Sequence, residues 1–188
     1  LYVDPITAED VAAVCETERP DGAILAFGGG EAVRKSELLR DMGITVYGAD
    51  AEAHRMLKNK IAFFDILDKL NIRHTNNRRV MIGKGAEVDV LSDGSEFLIP
   101  GICEHIEKAS VHSGDSISAF PAVTLSDAVK EEIVEFTGRL VRELGFKGLL
   151  NIQFVIYDNA VYVSSASVVA TRNIPFLSKA TALPIIET

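Results

Sequence analysis

Apolar positions fall into two textures along the chain: helical stripes punctuated by glycine in the first third, and alternating or continuous strand-length runs afterwards. Val11, Ala12, Val14 and Cys15 share one face of a helix predicted over 8–18, with Thr7 placed to accept from its free first-turn amides. Arg19-Pro20-Asp21-Gly22 breaks it, and the unbroken apolar run Ala23–Phe27 predicts a parallel strand covered on both faces. Gly28, Gly29 and Gly30 follow, then one helix from Glu31 to about Met42, with Gly43 as its left-handed end. ITVYG gives a second strand, and a further helix over about 51–70 stops at NIRHTNN. Strand, glycine turn, helix, strand is the order of a right-handed Rossmann-like unit.

Residues 75–84, TNNRRVMIGK, carry no clear period and mark a junction, after which the pattern becomes α+β. Ala86–Leu91 alternates, and Ser92-Asp93-Gly94 predicts a hairpin turn into FLIPGICEHI. Ser126 caps a helix to Leu144 whose stripe is Val129, Ile133, Phe136, Leu140 and Val141, with Gly145 beyond its end. NIQFVIY (151–157) and AVYVSS (160–165) form a hairpin turned at Asp158-Asn159. The expected fold is α/β, with a Rossmann-like domain over 1–74, a junction over 75–84 and an α+β part over 85–188.

Composition narrows the function classes. With 47% hydrophobic, 24% charged and 7% aromatic residues, the 188-residue chain is neither disordered nor fibrous. No apolar run reaches the roughly 18 residues of a membrane span. The opening LYVDPITAED is neither basic nor apolar, which argues against a signal peptide, and a start at Leu1 rather than Met suggests a piece of a longer chain. Nineteen basic residues against 27 acidic ones give a net charge of −8, unfavourable for nucleic acid or an anionic membrane. Cys15 and Cys103 sit among apolar neighbours, as buried reduced thiols of a cytoplasmic protein do.

Three places carry candidate chemistry. The triple glycine could admit a phosphate to a helix start, although Glu31 would oppose it, or could be a tight turn only. Glu104–Ser116 holds Glu104, His105, Glu107, His112, Ser113, Asp115 and Ser116, so a metal site and a solvated loop both fit, the spacing of the two histidines favouring the loop. Gln153 is a lone amide in an apolar strand, on the face of Asn151 and Val155, and must meet a ligand or a local network.

Taken together, these segments resemble the carbamoyl-phosphate synthetase large-subunit family, and within it the C-terminal synthetase half, an ATP-grasp enzyme. LYVDPITAEDV with RPDGAILAFGGG, ITVYGADAEAH, GICEHIEKASVHSGDS, GLLNIQF and NIPFLSKATALP carry the likeness across nearly the whole chain. The resemblance implies a pre-ATP-grasp domain followed by an ATP-grasp domain, ATP with magnesium or manganese as cofactor, and phosphorylation of carbamate as the parent reaction. It implies nucleotide contacts at Glu87, Val111, His112, Ser113 and Gln153, a metal contact at Gln153 and a phosphate contact at Arg172.

Two departures from the family pattern change that expectation. The family's lid subdomain, with its glycine-rich phosphate loop, has no counterpart between NIRHTNN and GAEVDV, so the ATP-grasp part is expected to be truncated. VYVSSASVVATRN stands where the family has E-V-N-P-R-A-S-R-T after its strand, which places Ser165 and Ser167 at the metal-binding glutamate and asparagine and Val169 at an arginine. Serine hydroxyls lack the charge magnesium needs, so phosphoryl transfer loses its electrostatic support. The expectation is a non-catalytic or weakly nucleotide-binding module, with self-association or a synthetase subunit as partner; the alternative is an active ATP-dependent ligase fragment. The polar block is expected to serve structure as well, through buried hydrogen bonds of His105, His112 and Asp115 to backbone groups.

Overall fold

The computed structural model describes residues 2, 5–76, 80, 82–111 and 116–185. Helix α1 (Ala8–Glu18) begins where Thr7 Oγ1 accepts from the Asp10 amide, and Arg19 closes it in a left-handed conformation. β1 (Gly22–Ile24) pairs in parallel with β2 (Thr45–Tyr47), and α2 (Gly29–Val33) and α3 (Ser36–Asp41) cross between them. α4 (Ala51–Lys58) and α5 (Lys60–Lys69) follow. This is the βαβ unit expected from the glycine-punctuated pattern.

The strand expected over Ala23–Phe27 is shorter. The chain leaves the sheet after Ile24 and turns through a 3₁₀ segment, Ala26–Gly28, in which the Gly28 amide donates to the Leu25 carbonyl. The Ala26 carbonyl accepts from the Ala170 amide, so the turn is directed toward the second half of the chain rather than along the sheet. Ile24 is 63% exposed, unlike a strand covered on both faces. The single helix expected over 31–42 is divided at Arg34 and Lys35, and that over 51–70 at Asn59. There the Asn59 backbone is extended and its side chain accepts from the Ile61 and Ala62 amides, restarting the helix.

The second half is a six-stranded antiparallel sheet, ordered β6-β5-β3-β7-β8, with β4 also paired to β3. Its strands are β3 (Lys84–Asp93), β4 (Phe97–Leu98), β5 (Ile102–Lys108), β6 (Ser118–Ala119), β7 (Lys147–Tyr157) and β8 (Ala160–Ser167). The Ser92-Asp93-Gly94 turn forms as expected, with Asp93 Oδ1 accepting from the Ser95 and Glu96 amides. Asp158 and Asn159, with φ of 50° and 58°, make the β7–β8 hairpin turn. Because helices back both faces of the sheet, Glu87 and Asp89 of β3 are buried as well as Ala86, Val88 and Val90, where the alternation alone implied one covered face.

Helix α6 (Asp127–Leu144), capped by Ser126 and ended by Gly145 at φ 54°, buries Val129, Ile133, Phe136, Leu140 and Val141. They meet Ala86, Val88, Val90, Leu150, Ile152 and Phe154 in a core continuous with Leu39, Leu57, Phe63 and Leu67 of the first half. The opposite face of the sheet is covered by α7 (Asn173–Thr181), where Ile174 and Leu177 pack with Cys103 and Ile185.

Backbone contacts also join the halves. Residues 73–75 run along the outer edge of β8, the Val163 amide donating to the Arg73 carbonyl and the Thr75 amide to the Val163 carbonyl. Gly48, after β2, meets Gly148, near the start of β7. Gly148 has φ 110°, and a Cβ there would lie 2.8 Å from the Gly48 Cα, so the approach requires glycine.

Candidate nucleotide site

Strand register brings the sequence-derived residues together. Glu87 on β3 stands opposite Gln153 on β7, which stands opposite Ser165 on β8; the neighbouring row runs Asp89, Asn151, Ser167. A register shift beside Gln153 bulges β8 at Ser164, and such a bulge re-aims the side chains around it. Gln153 Oε1 accepts from Ser165 Oγ at 3.2 Å, and Ser167 Oγ accepts from the Val169 amide at 3.3 Å.

These residues floor a cavity of about 510 Å³ between β7–β8 and the α4–α5 pair. Gln153, Ser164, Ser165 and Ser167 line the sheet side, Leu57, Lys58, Lys60 and Phe63 the helix side, and Val169 to Thr171 one end. Lys58 and Lys60 are exposed, flank the break at Asn59, and take part in no ion pair within the described residues.

Below the cavity the same face carries two buried carboxylates. Glu87, 6% exposed, accepts from His105 Nε2 at 3.0 Å, Asn173 Nδ2 at 2.8 Å and Asn151 Nδ2 at 3.2 Å. Burial pushes its acidity toward the neutral form, but these donors outweigh that and hold it below the usual glutamate range. Asp89, 3% exposed, accepts from Asn151 Nδ2 at 3.1 Å and from the Thr171 hydroxyl at 2.9 Å. Burial dominates there and, with the charge of Glu87, raises Asp89 to about 6 against the pull of its hydrogen bonds.

The other sequence-derived residues lie elsewhere. Glu87, although opposite Gln153, is an internal acceptor buried beneath the cavity and does not line it. Val111 is 39% exposed in a turn closed by its amide on the Lys108 carbonyl, and does not line the cavity. Arg172, just before α7, donates from Nη2 to the Ser116 carbonyl at 2.8 Å and does not line the cavity either. His112, Ser113 and Asp115 lie outside the described residues. The solvated-loop reading of Glu104–Ser116 gives way in its first part to β5, where Glu104 and His105 are both buried. His105 is buried and bonded as expected, but to the Glu87 carboxylate rather than to backbone. Glu104 accepts from the Val123 and Thr124 amides, fixing the loop before α6.

Sequence reasoning missed Asp89, Thr171, Asn173, Lys58 and Lys60. A period-2 count could have found Asp89, two residues from Glu87 on the same face; no local pattern marks Asn173, which reaches Glu87 across 86 residues. Among the described residues, no group of three or more His, Cys, Asp or Glu is placed to hold a metal ion.

A parallel βαβ unit joined to an antiparallel sheet, with one helix backing each face, defines a pre-ATP-grasp domain plus a partial ATP-grasp domain. Residues 1–56 match the carbamoyl phosphate synthase preATP-grasp domain, and residues 77–188 the carbamoyl-phosphate synthase L chain ATP binding domain. The chain belongs to the carbamoyl-phosphate synthase large-chain family. It is 33% identical to the carbamoyl phosphate synthase large chain of Agathobacter rectalis and 30% identical to that of Clostridium perfringens. Each alignment covers 100% of this chain and 23% of the relative. The chain thus spans less than a quarter of those relatives' length. A multifunctional pyruvate carboxylase from Rhizobium etli shares the fold at a TM-score of 0.80 and 14% identity, over 97% of this chain and 20% of that one. No helix among the described residues is long and apolar enough to cross a membrane.

Proposed function

We propose that this chain is a carbamoyl-phosphate synthase-family ATP-grasp module that has lost metal-dependent phosphoryl transfer and retains at most weak, metal-independent nucleotide binding. The observation that carries this reading is the composition of the cavity floor: Gln153, Ser165 and Ser167 stand together on adjacent strands, and all three are neutral. Magnesium draws its affinity from charged oxygen ligands in near-octahedral array. The carboxylates nearest in the sheet, Glu87 and Asp89, are buried beneath and already accept from Asn151, Asn173, Thr171 and His105. The residues present therefore do not suit the metal that the family implies, and no phosphoryl-transfer step is assigned to them.

Loss of the lid is the second part of the proposal. The alignments to the large chains run over 247 residues, against 188 in this chain, which fits an internal segment present in the relatives and missing here. It also fits the 14 residues that separate α5, ending at Lys69, from β3, starting at Lys84. The division into 1–74, 75–84 and 85–188, a cytoplasmic setting suited to the free thiols of Cys15 and Cys103, and self-association belong to the same proposal.

Restoring the charge tests it. The double substitution Ser165→Glu with Ser167→Asn is expected to give ATP binding that magnesium strengthens at least tenfold, read by calorimetric titration. Parent binding already strengthened by magnesium, and left unchanged by the pair, would overturn the proposal.

A further inference from the structure

The polar groups lining the cavity divide sharply by role. The carboxylates of the adjoining strand β3, Glu87 and Asp89, are buried below it and already accept from donors. Among the described lining residues, Lys58 and Lys60 carry ammonium groups with no carboxylate partner, and the Ser164 hydroxyl and the Gln153 amide NH₂, whose own oxygen is taken by Ser165, are further donors. Lys60 lies 5.9 Å from the Phe64 ring centroid, and neither lysine has a carboxylate partner among the described residues. The lysines come from the pre-ATP-grasp half and the amide and hydroxyls from the sheet, so the two halves face one another across the cavity with donors on both sides.

A cavity with two ammonium groups and neutral donors, and no carboxylate on its surface, repels divalent cations and attracts anions. Its volume of about 510 Å³ exceeds what one oxyanion fills. We propose that the cavity between α4–α5 and β7–β8 is a metal-free polyanion site, in which Lys58 and Lys60 supply the countercharge that a divalent cation supplies elsewhere. The ligand class is a linear polyphosphate, free or as the phosphate chain of a nucleotide. This deepens the proposed function and rests on its assignment of the same cavity. Magnesium here competes with the site for the ligand instead of completing it.

The test uses the full chain with inorganic tripolyphosphate and with ATP, each titrated by calorimetry in EDTA and in excess magnesium. Tripolyphosphate is expected to bind in EDTA and to bind at least threefold more weakly in magnesium. Lys58→Ala with Lys60→Ala is expected to weaken binding at least tenfold, while the equally charged control Lys108→Ala with Lys179→Ala leaves it within twofold. All four lysines are exposed, and matching thermal melts verify that each double variant folds. Equal affinity for ATP and tripolyphosphate supports a free polyphosphate, tighter ATP supports a nucleotide, and both support the site. Equal weakening in the two double variants would overturn it as non-specific attraction. Absence of binding in EDTA with none in magnesium would overturn the site while leaving the loss of metal chemistry standing. Binding that appears only with magnesium would overturn both.

Discussion

Asp89 is a carboxyl group that the fold holds against its own charge. Its pKa is raised from 3.8 to about 6, chiefly by burial. The folded protein therefore binds one more proton than the unfolded chain between about pH 4 and pH 6. Stability from this group is greatest below pH 4, falls as pH rises through that window, and is level above it. The shift corresponds to a penalty of up to about 3 kcal/mol at neutral pH. Asp89→Asn keeps an oxygen to accept from Asn151 and Thr171 and removes the charge. It is expected to raise stability at pH 7 and to remove most of the slope between pH 4 and 6, measured by urea unfolding across that range. A variant less stable than the parent at pH 7, with the slope intact, would show that the charge is compensated. Glu87 acts in the opposite sense: its lowered pKa stabilises the fold at neutral pH, and that contribution is lost on acidification.

At the scale of elements, the Gly48–Gly148 approach couples the βαβ unit to the sheet. Gly148→Ala combines an unfavourable positive φ with a Cβ placed 2.8 Å from the Gly48 Cα. A strained residue of this kind costs about 1–3 kcal/mol, which lowers the melting temperature of a chain this size by about 2–4 °C per kcal/mol. An unchanged melting temperature would mean the two turns do not touch in solution. Elements with a local chemical signature were legible in the sequence. Thr7 begins α1, Ser126 and Gly145 bound α6, and Asp158-Asn159 turns β7 into β8, each through side-chain or backbone chemistry within a few residues. What failed depends on distant partners. Ala23–Phe27 contains nothing to show that Ala26 will bond to Ala170, and Ala86–Leu91 alternates although α7 covers its polar face. The same holds for the site. Gln153, Ser165 and Ser167 could be aligned from their motifs, whereas Lys58 and Lys60 reach the cavity only through the packing of α4–α5 against β8.

For the whole molecule, apolar surface and the missing charge point the same way. Ile106, Ile117 and Val123 are 65%, 66% and 75% exposed in and around the β5–β6 edge, and Ile24, Phe27 and Tyr47 are more than half exposed beside the two-stranded sheet. Apolar groups gathered at sheet edges favour association. Sedimentation at rising concentration is expected to show species heavier than 20.4 kDa. A strictly monomeric boundary at all concentrations would contradict that expectation. The central proposal is the loss of metal-dependent chemistry from a partial family fold. Its most direct measurement is calorimetric titration of the unaltered chain with ATP, with and without magnesium. Binding no tighter than millimolar, with no gain from the metal, is expected. A micromolar dissociation constant that requires magnesium would contradict it.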